Sequence, residues 1–381
     1  MRIFGGPFIA PLQGAQLLEY HFQGQRAKRL SLATIFRAFG TDHVLPSAFC
    51  LLSSAFCLLL SAFCLLPSAY GSTWTRQQSG TMAWLHAVYF LDQNRGWVAG
   101  SGGTLLATDN SGRTWKKLFP LTKDNLRDVY FASEKNGWLV CEHDPLKLKS
   151  NDEPRAYLLK TTDGGSSWQR VNLAGFDVNA RLVRAVFADA ERGWVFGESG
   201  VVFNTRDGGA HWVPQPLPTK HLLLGGAFVD YRHGWLVGAG ATIVQTTDGG
   251  ATWKIGFVRD GASARFTAAS FIGNNLGWAV GTEGRVFATT DGGGAWFAQR
   301  SNAETDLSDV RFVDASEGWV AGAQGTLLRT TDGGLHWSPE PSGTTHALER
   351  LFFIDRDHGW AVGFGGIILT YAQAGAPRLK S

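Results

Sequence analysis

Over most of the chain, apolar residues come in runs of a few positions, alternate with polar ones, and are cut by glycine at close intervals. Leu126-Arg-Asp-Val-Tyr-Phe131 and Leu307-Ser-Asp-Val-Arg-Phe312 are typical, each followed by a turn, Gly-Trp and a second apolar run. Such runs are too short and too often broken for helices, and their content suits strands. The pattern repeats. Gly-Trp recurs at Trp97, Trp138, Trp194, Trp235, Trp278, Trp319 and Trp360, at intervals of 41, 56, 41, 43, 41 and 41. A second series, Trp115, Trp168, Trp212, Trp253, Trp296 and Trp337, closes segments such as Thr-Thr-Asp-Gly-Gly-Ala-Thr-Trp (246–253).

Each unit therefore holds four extended segments. The first is Leu-x-x-Val-x-Phe, the second follows Gly-Trp, the third is typified by Gly-Thr-Leu-Leu-Arg-Thr (325–330), and the fourth begins at the second Trp. Four strands in about 41 residues make one propeller blade. The seventh unit supplies only three: Leu348–Phe353, the run after Gly359-Trp360, and Ile367–Tyr371. Its fourth is expected from the other end of the domain, where Ser72-Thr-Trp-Thr-Arg-Gln77 matches Thr252-Trp-Lys-Ile and places Trp74 in the second Trp series. Closing the last blade in this way removes the sheet edges that an open array would expose. The expected fold is all-β: a seven-bladed β-propeller of four-stranded antiparallel blades over residues 72–381, closed by an N-terminal strand around Trp74.

Upstream of the repeats, residues 45–66 carry no charge and are long enough to cross a bilayer. Ser-Ala-Phe-Cys-Leu-Leu recurs there from Ser47, Ser54 and Ser61, as a tandem duplication read in frame would also give. With Arg37 upstream and Ala69-Tyr70-Gly71 as a small-x-small cleavage site, residues 45–71 read as a signal-like or anchor-like leader. Residues 1–44 show no periodicity and are assigned no structure; their length before the apolar run points to a mis-assigned start. The expected location is outside the cytoplasm, periplasmic or extracellular, with the membrane engaged only through an uncleaved leader.

Composition narrows the chemistry. A net charge of +3, with no basic run interleaved with aromatics, gives no reason to expect nucleic acid or an anionic membrane as partner. Cys50, Cys57 and Cys64 fall in the leader and Cys141 stands alone in the body, so no disulfide is expected within the domain. No CxxC or Cys/His spacing suggests zinc, and no metal or cofactor is expected. Glu142, His143 and Asp144 have metal-capable side chains, but three successive residues on an extended chain point alternately.

The box Ser/Thr-x-Asp-x-Gly-x-x-Trp joins the third strand to the fourth. Its acid, or the amide of Asn110 in the first blade, is expected to accept backbone N–H bonds across the turn, with glycine supplying the positive φ. Asn110, Asp163, Asp207, Asp248, Asp291 and Asp332 hold this position, and their identical local context marks them as structural staples rather than catalytic acids.

The Thr-Thr-Asp-Gly-Gly-x-x-Trp boxes are the bacterial neuraminidase (Asp-box) repeat. Together with Gly-Trp-x-x-Gly-x-x-Gly, residues 72–371 resemble the photosystem II assembly/stability factor propellers of chloroplasts and cyanobacteria. The resemblance implies a monomeric, non-enzymatic scaffold that binds a protein, such as a membrane-protein subunit held during assembly. It also implies an arginine patch, to which Arg127, Arg184, Arg265 and Arg350 are the matching positions. Trp84 belongs to neither Trp series and reads as an exposed contact; His143 lies in the 142–155 insertion that lengthens blade two, and both are added as binding candidates. Aligned first strands put Asp128, Arg184, Asp309 and Arg350 at the third position, where Asp128–Arg184 and Asp309–Arg350 would pair between blades.

Two other functions remain open at this point. One is a receptor-like or adhesive surface module. The other is a sialidase-like glycoside hydrolase, for which arginines and Tyr89 and Tyr130 are available, but the blade count and the absence of Phe/Tyr-Arg-Ile-Pro speak against it. Two carboxylates about 5–10 Å apart in an open cleft would favour the hydrolase.

Overall fold

A computed structural model describes residues 73–144, 153–259 and 264–372. Segment 1–44, the leader 45–71 and most of the blade-two insertion lie outside the described residues. Seven sheets follow one another along the chain, each with first, second, third and fourth strands paired antiparallel in order. The first strands are Leu85–Phe90, Asn125–Phe131, Leu182–Phe187, Leu223–Phe228, Phe266–Ile272, Leu307–Phe312 and Leu348–Phe353. Each lies against its neighbour in the next blade, and Leu348–Phe353 lies against Leu85–Phe90, so the array is a closed ring. In the seventh sheet the outer strand is Thr73–Gln77, paired antiparallel with Ile368–Ala372 with Trp74 opposite Tyr371. One sheet departs from the pattern. Phe257–Val258, just after the outer strand of blade four, adds in parallel to Ala295–Gln299 at the edge of blade five. No α-helix occurs among the described residues.

The buried side chains divide into seven clusters, one per interface between blades. Each interface repeats one arrangement of three rings. The Trp of a Gly-Trp packs on the Phe that ends the next blade's first strand, with Trp278 on Phe312 at 3.5 Å and 9° as the closest case. The box Trp of that next blade meets the same Phe edge-on, as Trp337 does at 5.8 Å and 87°. Trp74 performs this second role for Phe353, at 5.9 Å and 90°. Both Trp series thus serve the same interface, burying large area in geometries that aromatic pairs favour.

This explains the glycines. In every blade the Phe sits opposite the Gly of Gly-Trp across the first strand pair, as Phe312 does opposite Gly318. Its ring lies over that backbone, so a Cβ on Gly318 would stand 2.7 Å from the ring. The glycine is a seat for the ring that receives the neighbour's tryptophan. The later glycines of the motif lie under carbonyls: a Cβ on Gly363 would meet Ala347 O at 2.0 Å, and one on Gly366 would meet Thr81 O at 1.9 Å. Blade two has Cys141 opposite Leu126, where other blades place the first of these glycines.

The Asp boxes form the expected turns. Thr161 Oγ1 donates to Asp163 Oδ1 at 2.8 Å, accepts the Gly165 N–H at 2.9 Å, and Asp163 Oδ1 accepts the Ser167 N–H at 2.8 Å. Asp207, Asp248, Asp291 and Asp332 repeat this set. Asn110 keeps it too: its Oδ1 accepts the Thr114 N–H at 3.0 Å while its amide donates to Thr114 Oγ1 at 2.8 Å.

Candidate functional site

The propeller axis is lined by the first strands, and two cavities lie along it. In all seven first strands the register slips between the first and third residues of the motif, a bulge that re-aims the residue between them. His86, Arg127, Val183, Leu224 and Glu349 occupy that bulged position and line a cavity of about 180 Å³ on the face of the 4–1 and 2–3 loops. A second cavity, of about 330 Å³, opens on the Asp-box side between aromatic walls. Arg350 borders both.

Between the cavities lie the charged third positions. Asp128, Arg184, Asp309 and Arg350 are all buried, with Asp309 at 0 % exposure. The ion pairs expected between adjacent blades do not form. Instead, each carboxylate staples the next blade's backbone: Asp128 Oδ2 accepts the Ala185 N–H at 3.0 Å, and Asp309 Oδ2 accepts the Leu351 N–H at 2.9 Å. Arg184 belongs to blade three and Asp309 to blade six, and Arg184 Nη1 comes within 3.9 Å of Asp309 Oδ1. Arg311 Nε is 3.7 Å from Asp309 Oδ2 and donates to Leu351 O at 3.2 Å. Burial pushes the Asp128 carboxyl up to about 6, against the opposing pull of Arg184. Burial also lowers the Arg184 pKa, countered by Asp309 and Asp128.

Of the four arginines matched to a surface patch, therefore, two are inside the channel and two are on its face. Arg127 is half-buried and bonded to Glu142, which also meets Arg181 Nη1 at 3.4 Å. The network continues from Arg181 to Glu198 at 2.8 Å and from Glu198 to Arg155 at 3.5 Å. Arg265 is exposed at the mouth, with no ion pair among the described residues. Trp84 is 41 % exposed and holds His86 at 5.3 Å and Phe364 at 5.7 Å, an apolar step beside the mouth. His143 is not on that step. Its Nδ1 lies 2.9 Å from Asp124, its ring 4.9 Å from Tyr157, and among the described residues no cluster suited to a metal ion includes it.

Sequence reasoning missed His86, Glu349 and Arg311. The first two share the second motif position with Arg127, so a bulge placed there would have gathered all three. Burial, then Arg127, brings the His86 pKa down to about 3, which keeps the ring neutral. Arg311 sits at the fifth position, and nothing in an alternating pattern distinguishes a channel-facing fifth residue from an interface one. The hydrolase geometry is not met by Asp128 and Asp309, since both are buried and hold backbone N–H groups rather than facing one another across an open cleft.

The profile of one family, described as photosynthesis system II assembly factor YCF48, matches residues 66–173, 119–220, 210–303 and 294–377. No curated protein matches the chain in sequence. Among solved structures, YCF48 bound to D1 peptide superimposes with a TM-score of 0.65 at 21% identity, over 78% of this chain and 96% of that one. YCF48 from Cyanidioschyzon merolae gives 0.64 at 20%, over 78% and 98%. A GH74 xyloglucanase from Xanthomonas campestris gives 0.59 at 14%, over 78% of this chain and 53% of that one. At these identities each likeness speaks for the fold alone.

Proposed function

Because this chain belongs to the photosynthesis system II assembly factor YCF48 family, we propose that it is an exported, non-enzymatic scaffold that holds a protein partner, a membrane-protein subunit awaiting assembly, on the face of the 4–1 and 2–3 loops. One observation carries the reading. On that face the exposed Trp84–Phe364 step adjoins a mouth lined by Arg127, Arg181 and Arg265. Aromatic anchors beside arginines are the composition of binding hot spots. Arg127 and Arg181 are positioned by Glu142, whereas Arg265 is available to an acidic or carboxylate group of the partner. A relative of known structure was solved with a D1 peptide, which supports a peptide-sized partner segment here.

The test is capture from detergent-solubilised membranes, with bound proteins identified by mass spectrometry. Wild type is expected to retain a membrane-protein subunit, and Trp84→Ala combined with Arg265→Glu to release it while unfolding at the wild-type temperature. An unchanged set of captured proteins would show that this face is not the docking surface.

A further inference from the structure

The Asp-box end of the channel has a charged floor that its own groups leave incompletely satisfied. Three guanidiniums, Arg184, Arg311 and Arg350, meet two carboxylates, Asp128 and Asp309. Each carboxylate has committed an oxygen to a backbone N–H of the next blade. Asp309 Oδ1, 3.9 Å from Arg184, is beyond hydrogen-bond reach of it and has no donor in the protein. The Nε atoms of Arg184 and Arg350 have no acceptor in the protein, although these side chains are more than nine-tenths buried. Glu349 faces Arg184, and then Arg127, from the opposite mouth, so the guanidiniums are matched by carboxylates in number but not in hydrogen bonds.

Buried guanidiniums are tolerated when a partner accepts their N–H groups, and donors left without an acceptor in a low-dielectric lumen favour an anion that supplies one. The walls above the floor are apolar and aromatic. Tyr89 meets Tyr130 at 4.9 Å and Phe352 at 5.2 Å, both edge-on, on the rim of a cavity of about 330 Å³. That volume is within the range of small-molecule sites, which combine apolar walls with a few convergent polar groups. We propose that this cavity binds a small organic carboxylate, its charged end on Arg184, Arg311 and Arg350 and its apolar body against Tyr89, Tyr130 and Phe352. The site opens on the side opposite the docking face, and Arg350 is the side chain that borders both cavities.

Calorimetric titration of the folded protein with benzoate, benzamide and inorganic phosphate tests this. Benzoate is expected to bind one to one. Benzamide, with the same body and no charge, should bind on the order of tenfold more weakly or worse, because the arginine donors then lose their acceptor. Phosphate, with charge and no apolar body, should also bind more weakly than benzoate. Arg311→Gln, chosen because Arg311 is part-exposed, should weaken benzoate by roughly tenfold in a protein that still unfolds in one cooperative transition. Tyr89→Leu should weaken benzoate and leave phosphate as it was. No heat with benzoate at millimolar concentration, equal binding of benzamide or phosphate, or benzoate binding indifferent to both substitutions would overturn the assignment.

Discussion

Trp360 lies flat on Phe90, with ring centroids 3.6 Å apart and planes 13° from parallel, so the last Gly-Trp of the chain packs onto the first strand of the first blade. Around that pair Leu85, Val88, Val98 and Ile368 are almost fully buried. Removing an indole from such a site costs about 3–5 kcal/mol, through lost burial and the cavity left behind. Trp360→Ala should therefore shift a chemical unfolding midpoint strongly. Trp115→Ala, in the same interface but with its indole only part-buried, should shift it less. Equal shifts would mean that the stack contributes nothing beyond generic bulk.

Trp74 supplies the second test of closure. Its Nε1 donates to Glu340 Oε2 at 2.8 Å, its ring meets Tyr371 at 5.2 Å, and its strand pairs along Ile368–Ala372. Trp74→Ala should uncover Tyr371 and Phe353 and so raise the binding of a hydrophobic dye at temperatures below global unfolding. Thr73→Ala, at an exposed position on the same strand, is the control and should bind no more dye than wild type. Equal dye binding by the two variants would show that the indole does not seal the blade.

The fold was legible because its signals repeat. Seven Gly-Trp dipeptides and the box Trp series specify strands, turns and blade count together, and a missing fourth strand at one end matches a spare one at the other. The site was less legible, for a physical reason. Which side chains face the channel is decided by a one-residue bulge in every first strand, and alternation alone cannot locate it. Arg127 and Arg184, one motif position apart, were both matched to a surface patch, yet one reaches the face and the other is sealed inside. Arg184 also approaches Asp309, 125 positions away in another blade, a relationship that pairing neighbours in a repeat does not reveal.

Gly318 gives a test of the ring seat. An alanine there brings a Cβ to 2.7 Å from Phe312, whose ring is held between Trp278 and Trp337 and has no free direction to move. Overpacking of this kind costs about 1–3 kcal/mol. Gly343→Ala meets nothing within 4 Å and carries only the strain of its φ of +67°, worth about 1 kcal/mol. Urea midpoints should place Gly318→Ala clearly below Gly343→Ala, with near-UV circular dichroism altered only in the former. The reverse order would mean that the turn backbone, and not the ring contact, explains the glycine.

Asp128 should leave a signature in the pH dependence of stability. Its carboxyl titrates near 6 in the folded chain against an ordinary 3.8, so between those values the native state holds more protons than the unfolded one. Stability from this group is then highest at low pH and falls as pH rises from about 4 to about 6, by about 3 kcal/mol at most. His86 acts in the opposite sense. Held neutral with its pKa near 3, it loses stability as pH drops below 6.5, because only the unfolded chain takes up the proton. Asp163 and Asp332, held down to about 2 by the Ser167 and His336 groups respectively, contribute stability above 3.8 that is lost as pH falls toward 2, mostly below this window. The wild-type curve therefore sums slopes that partly cancel between pH 4 and 6. Asp128→Asn keeps an oxygen for the Ala185 N–H and removes the titration; the acceptor it takes from the Val129 N–H is a pH-independent loss that offsets the whole curve. Subtracting its unfolding free energies from those of wild type should leave a difference that declines steadily from pH 4 to 6 and is flat above. Parallel curves across that range would mean that the Asp128 carboxylate is solvated or paired in the folded protein, and that the channel floor is less dry than its geometry indicates.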